Sequence, residues 1–195
     1  MSETGITRMA AGRSGNPQGE PGLRVRQYRA TMLASLIARR GTATALTAAA
    51  HERFGAALPT TPRWIAARHA NLIWNGPSHW LIESNDPSMS LASISEAFAS
   101  SAAVIEQTDS RIMLDVSGAK VRETLAKGLP IDLHHSRFQS GDVALTSASH
   151  VSVQIWQTHA DPVYRLSVAR SYFGSFWHWL AASAAEYGCE ASVPP

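Results

Sequence analysis

The stretch DSRIMLDVSGAKVRETLAKGLPIDLHHSRFQSGDVALT, residues 109–146, decides how the rest of the chain is read. Ile112, Leu114 and Val116 alternate with Arg111, Met113 and Asp115, the period of two that a pleated strand imposes. Ser117 then reads as the cap of a short helix, with Val121 and Leu125 facing inward and Gly128 ending it. A loop follows, held by Pro130, Asp132, Phe138 and Gly141. No side chain here has the setting of a reactive centre. The order of parts points to a shaped piece of a larger assembly more than to a self-sufficient catalyst.

Toward the N-terminus, residues 1–22 are rich in Gly, Ser and polar side chains. They read as a disordered lead-in, without the apolar centre of a secretory signal. Residues 23–28 and 32–38 read as strands. In 41–55, Leu46, Ala50 and Phe54 fall at helical spacing and Gly55 is the stop. Residues 64–68 and 71–74 read as strands, Asn75-Gly76-Pro77 as a turn, and Trp80 opens the strand that follows. Asp86-Pro87 predicts a helix start, with Leu91, Ile94 and Phe98 on one face. Val104 and Ile105 lead into the strand around 112–116.

Toward the C-terminus, Val151, Val153 and Ile155 alternate with Ser152, Gln154 and Trp156, which predicts a strand with one wet face. Asp161-Pro162 turns the chain, and Tyr164, Leu166 and Val168 form the next strand. The last helix, 171–187, begins at Ser171 and has the strongest periodicity: Phe173, Phe176, Trp177, Leu180, Ala184 and Tyr187 share one face. Residues 189–195 read as a polar tail containing the lone Cys189.

Each half reads strand, helix, strand, turn, strand, helix. That predicts an α+β fold built from two pseudo-repeats, about 30–101 and 103–188, within a single domain spanning 23–188.

At 45% hydrophobic and 16% charged residues the chain can form a globular core. A net charge of +2, with Lys120 and Lys127 the only lysines, gives no basis for nucleic-acid binding. No apolar run reaches the length of a membrane span. A single cysteine fits a reducing compartment. There is no G-x-G-x-x-G after a strand and no phosphate-binding G-x-x-x-x-G-K-[ST]. His134, His135, His150 and His159 lack the carboxylate or cysteine spacing of a metal site. Ser117, His150 and Asp142 could be drawn as a triad, but no G-x-S-x-G supports it. Asp109-Ser110-Arg111 reads either as an anion site with Arg111 as the fork or as a turn stabilised by Asp109; the turn is the simpler reading, with Arg111 on the wet strand face. Trp179 lies off the main apolar stripe, where it either faces a partner or tucks against the sheet.

V-S-G-A-K-V-R-E-T-L-A-K-G-L-P-I-D-L-H (116–134), F-Q-S-G-D-V-A-L-T (138–146), W-N-G-P-S-H-W-L (74–81) and V-A-R-S-Y-F-G-S-F-W-H-W-L-A-A-S-A-A-E-Y-G (168–188) together resemble the gamma-subunit family of heterotetrameric sarcosine oxidase. The resemblance marks Gly76, Pro77, Trp80, Asp109, Gly118, Pro130, Asp132, Phe138, Gly141, Ser171, Trp177 and Tyr187 as its motif positions. It implies a fold similar to the folate-binding domain of the glycine-cleavage aminomethyltransferase. It implies a bacterial cytoplasmic complex with alpha, beta and delta partners that oxidises sarcosine to glycine and peroxide, and forms methylenetetrahydrofolate when tetrahydrofolate is present. FAD, FMN, NAD and zinc are then expected on the partners and no cofactor on this chain. Arg111, Arg137 and Arg170 become candidates for steering folate carboxylates, and Trp179 for an interface. Two other functions fit the residues: a stand-alone folate-binding one-carbon transfer protein, and a scaffold subunit of another N-methyl amine flavin oxidase.

Overall fold

A computed structural model describes residues 9–193. The chain opens with strands β1 (Gly12–Ser14) and β2 (Leu23–Tyr28). It then enters a compact unit formed by Ala30–Asp109 together with Gly141–Val143. That unit contains β3 (Met32–Ala38), α1 (Ala43–Phe54), β4 (Trp64–Ala67), β5 (Ala70–Trp74), β6 (His79–Ser84), α2 (Leu91–Ala97) and β7 (Ala102–Glu106). Its five strands form an antiparallel sheet in the order β4-β5-β6-β3-β7. Met32, Ala34, Leu36, Leu72, Trp80 and Ile82 point to one face and pack with Leu46, Ala50 and Phe54 of α1 and Ile94 of α2. Phe54 stacks on Phe98 with ring centroids 5.6 Å apart.

The second unit takes Ser110–Ser140 and residues from Ala144 onward, plus β1 and β2. It contains β8 (Arg111–Ser117), α3 (Val121–Ala126), β9 (Val143–Ala148), β10 (Val151–His159), β11 (Val163–Ala169), α4 (Phe173–Ala184) and β12 (Cys189–Ser192). Its sheet runs β1-β12-β2-β8-β11-β10-β9. Phe173, Phe176, Leu180 and Ala184 of α4 and Val121 and Leu125 of α3 cover the face that carries Ile112, Leu114, Val116, Leu166 and Val168. Each large apolar side chain buried this way stabilises by roughly 1.5–3 kcal/mol.

The predicted duplication is present in the topology of both units. Strand, helix, three-stranded meander, helix, strand describes β3 to β7 and again β8 to β12. The repeats are longer than the sequence reading because β7, β9 and β12 complete them. They also differ at one place: β3 pairs directly with β7, whereas β2 sits between β8 and β12.

Several expectations are corrected. Residues 9–22 are not a loose lead-in: Met9 is buried, and β1 pairs antiparallel with β12. Residues 1–8 of the expected tail lie outside the described residues, as do 194–195. The C-terminal segment is not a polar tail either, because β12 runs parallel to β2 and buries Cys189. Burial pushes the Cys189 thiol pKa up, away from a reactive thiolate. In place of one domain spanning 23–188 there are two units, divided at Arg29/Ala30 and Asp109/Ser110.

The helix after β6 does not start at Asp86-Pro87. Its cap is Ser90, which accepts from the Ser93 amide at 3.1 Å while the Ser93 hydroxyl accepts from the Ser90 amide at 3.2 Å. Ser117 caps nothing; α3 begins after Lys120. The expected wet faces are largely dry as well, Ser152 being the exposed exception on β10. Met113, Asp115, Gln154, Trp156 and Ser167 alternate with the helix-facing residues of their strands, yet all are buried.

Asp86 instead closes a small turn, accepting from the Ser88 amide at 2.8 Å and pairing with the His69 ring. Those bonds, from Ser88 first and His69 after it, lower its pKa from the ordinary 3.8 to about 2. A carboxylate with a depressed folded-state pKa contributes stability above its unfolded value and loses it as pH falls through the folded one. In urea titrations, Asp86→Asn is therefore expected to be less stable than the parent near neutrality and to lose less stability between the ordinary 3.8 and about 2. Parallel curves for the two chains across that window would refute the assignment.

Candidate functional site

The face of the seven-stranded sheet opposite α3 and α4 carries an ion cluster written by strand register. Arg26 on β2 and Arg165 on β11 are both Cα partners of Asp115 on β8. Arg165 donates to the two Asp115 carboxylate oxygens from Nε at 2.6 Å and from Nη2 at 3.2 Å. Arg26 donates from Nη2 to Asp115 Oδ2 at 2.7 Å. The Arg165 guanidinium also lies over the Tyr28 ring, 3.3 Å from its centroid. Asp115 and Arg165 are enclosed at 7% and 11% side-chain exposure, whereas Arg26 reaches solvent at 67%. This carboxylate is fully engaged by donors, so its role is to fix three strands in register.

Arg111 sits on the same sheet face at the rim, where β8 begins and β11 ends. Its Cα partner is Ala169, and the next amide, Arg170 N, donates to Ser110 O at 2.8 Å. The structure therefore brings Arg111 and Arg170 to one corner. Arg137 is not held there by any such pairing; it is exposed in the turn after His134. Asp109 lies in the exposed turn between β7 and β8, as the simpler reading held, but Arg111 is half-buried instead of on a wet face.

The loop residues singled out by sequence have local tasks. Asp132 Oδ1 accepts from the His134 amide at 2.9 Å, closing a turn. Phe138 is buried with its ring 6.1 Å from that of Tyr164. Pro130 is exposed at the loop's start. Gly141 has φ +95, and a Cβ there would lie 2.6 Å from Arg63 Nη2, whose guanidinium is paired with Asp142. In the other unit, Gly76 and Pro77 make the turn between β5 and β6, and Trp80 Nε1 donates to Pro59 O at 2.7 Å.

On α4, Trp177 and Trp179 are half-buried against the core. Trp179 lies 5.6 Å from Phe176 and so close to Gly128 that a Cβ there would meet its ring at 2.5 Å. Trp179 thus packs beside the end of α3 and on Phe176 of its own helix while keeping part of its surface exposed. Tyr187 takes Lys127 over its ring at 4.6 Å, and Ser171 is exposed in the 3-10 turn that precedes α4.

An open polar hollow of about 730 Å³ flanks α3. Arg24, Arg122, Glu123 and Asp161 are among its lining residues, so its formal charges cancel. Arg122 Nε donates to Leu133 O at 2.9 Å and to Tyr164 Oη at 3.1 Å, which ties it to the core. Among the described residues no three His, Cys, Asp or Glu side chains are grouped to hold a metal ion. No helix among them is long and apolar enough to cross a membrane.

The profile of the sarcosine oxidase gamma subunit family matches residues 40–186. Sarcosine oxidase subunit gamma from Corynebacterium sp. strain U-96 is 25% identical over 117 residues, 60% of this chain and 57% of that protein. Its counterpart from Corynebacterium sp. strain P-1 is 26% identical over 146 residues, 73% of this chain and 71% of that one. The chain thus aligns with little more than half the length of the first relative. The fold superposes on a chain of heterotetrameric sarcosine oxidase from Corynebacterium sp. U-96, solved with pyrrole 2-carboxylate. The TM-score is 0.74 at 25% identity, with 87% of each chain covered. It is also similar to glycine cleavage system aminomethyltransferase T from Bartonella henselae, with TM-score 0.59 and 11% identity over 88% of this chain and 48% of that one. At that identity the likeness concerns the fold alone.

Proposed function

The chain belongs to the sarcosine oxidase gamma subunit family, and from that membership we propose that it serves as the non-catalytic gamma subunit of a heterotetrameric sarcosine oxidase. In this reading the assembly oxidises sarcosine to glycine with release of peroxide. With tetrahydrofolate present, the methyl carbon leaves as methylenetetrahydrofolate. FAD, FMN, NAD and zinc are assigned to the alpha, beta and delta partners in the cytoplasm, and this chain contributes walls and contact surface. Walls matter to such chemistry because an enclosed path keeps a reactive intermediate from water.

The observation that carries the reading is the superposition over 87% of both chains on a member of a heterotetrameric sarcosine oxidase. The polar geometry supports a structural role. Asp115 is engaged by Arg26 and Arg165, and Arg122 is tied to Leu133 and Tyr164. Of Arg111, Arg137 and Arg170, the exposed Arg137 is the one best placed to act at long range on a dissolved polyanion such as folate.

The test is coexpression with the three candidate partners, followed by size exclusion and a peroxide assay with sarcosine. Co-elution of four chains, with peroxide output that falls when this chain is omitted, is the expected result. A three-chain complex of equal activity would overturn the reading. So would submillimolar tetrahydrofolate binding by this chain alone, which belongs to a stand-alone one-carbon protein.

A further inference from the structure

We infer that Arg111 is half of an ion pair whose other half arrives on a neighbouring subunit: an Asp or Glu side chain that docks at the rim where β8 begins and β11 ends, beside Tyr172. The inference rests on the gamma-subunit reading and names a surface for it.

The argument starts from an unmatched charge. Arg111 Nε is buried with no acceptor. Its Nη1 meets a neutral partner, the Ser167 hydroxyl, at 3.3 Å. A lysine so placed could shed its proton, but a guanidinium stays charged in proteins. Enclosing it without a counter-ion is costly, because water is removed and nothing charged replaces it. Burial is also the influence that acts on the Arg111 pKa, pulling it down.

The same sheet shows the alternative. Arg165 lies on the neighbouring strand and the same face, and its guanidinium is met by both Asp115 oxygens and by the Tyr28 ring. At Arg111 the register offers Ala169 in place of an acid. A fold that neutralises one enclosed guanidinium so completely leaves the other waiting.

The surroundings favour an acid carried on a polypeptide. Arg170 follows Ala169 directly and brings a second positive charge to the corner. Tyr172, in the 3-10 turn running on from it, is 60% exposed, more than Ile105 at 48% or Leu145 at 47%. Arginine beside an exposed tyrosine is the composition that dominates binding energy at protein interfaces. A carboxylate arriving there gains a charge-assisted pair and completes the burial of a guanidinium already half desolvated.

The experiment compares the parent, Arg111→Met, Arg111→Lys and Tyr172→Ala in two measurements: thermal unfolding of this chain alone and affinity for the assembled partners. Arg111→Met is expected to leave the isolated chain as stable as the parent or more so, since it removes an uncompensated charge at similar volume. It is expected to weaken assembly at least tenfold and to flatten the salt dependence of binding. Arg111→Lys is expected to restore little, lacking the planar fork. Tyr172→Ala is expected to weaken assembly with the free chain's stability unchanged.

Unchanged assembly by Arg111→Met overturns the inference. So does a loss of free-chain stability that matches the loss of affinity, which would make Arg111 a structural residue. Normal assembly with a raised tetrahydrofolate KM also overturns it, by assigning the site to a small carboxylate. A parent chain that never joins the partners sinks the subunit reading itself, an outcome distinct from these three.

Discussion

Asp115→Ala is expected to lower the unfolding free energy by roughly 3–5 kcal/mol. Against a total of about 5–15 kcal/mol for a folded chain, that is a large fraction. The loss comes less from the carboxylate than from what it leaves behind. Arg165 would stay enclosed at 11% side-chain exposure, over the Tyr28 ring, without the carboxylate that its Nε and Nη2 now meet. Arg26, at 67% exposure, would turn to water and account for little of the change. A companion double variant, Asp115→Leu with Arg165→Met, separates charge from packing: replacing both partners of a buried pair by apolar groups is often neutral or stabilising. Urea midpoints should therefore fall sharply for Asp115→Ala and recover most of the way in the double variant, at constant slope. An Asp115→Ala chain within about 1 kcal/mol of the parent would mean that Arg165 finds other relief.

How much of this was legible in the sequence depends on how local each cause is. The strand through Ile112, Leu114 and Val116 and the helix through Phe173, Phe176 and Leu180 were readable because both patterns repeat within a few residues. The same holds for Gly55, whose left-handed conformation ends α1. The strands β1 and β12 were not readable. Gly12–Ser14 and Cys189–Ser192 have no alternation worth the name; β12 is a strand because β1 and β2 supply hydrogen-bonding edges on its two sides, and β1 because β12 does. Helix α2 was misplaced by four residues because two short polar caps, Asp86 and Ser90, compete. The reciprocal Ser90–Ser93 bonds decide for the second, and Asp86 is spent on Ser88.

The site divides in the same way. Arg111 and Arg170 were singled out from sequence and do meet at one corner, because their strands pair there. Arg137 was grouped with them on charge alone and is exposed in a turn. The Asp115 cluster was missed, since its partners lie 89 and 50 residues away and only register joins them. A signal existed: Arg26, Asp115 and Arg165 each occupy the polar side of an alternating strand, and opposite charges there are candidates for a cross-strand row.

Gly118→Ala should be far more damaging than Gly76→Ala, and the comparison shows why. Both glycines have φ in the region that disfavours a side chain, +117 and +126. At Gly76 a Cβ would meet nothing within 4 Å, so the penalty is conformational, about 1–3 kcal/mol. At Gly118 the Cβ would lie 2.4 Å from Gly22 O and 3.2 Å from Leu23 Cα. That backbone cannot step aside freely. Gly22 O accepts from Lys120 N at 2.9 Å, and Gly22 N donates to Tyr187 O at 2.8 Å. Gly22 itself is boxed in, with its own Cβ position 2.7 Å from Tyr187 Cβ. Relief would have to come from sliding β2, the strand that carries Arg26 and Tyr28 to the Asp115 cluster. The combined loss is expected to reach roughly 2–5 kcal/mol. It should be accompanied by weaker protection of the β2 amides from hydrogen exchange, a change absent from Gly76→Ala. Equal urea midpoints for the two variants would remove the steric half of the argument and leave the backbone conformation as the whole cause.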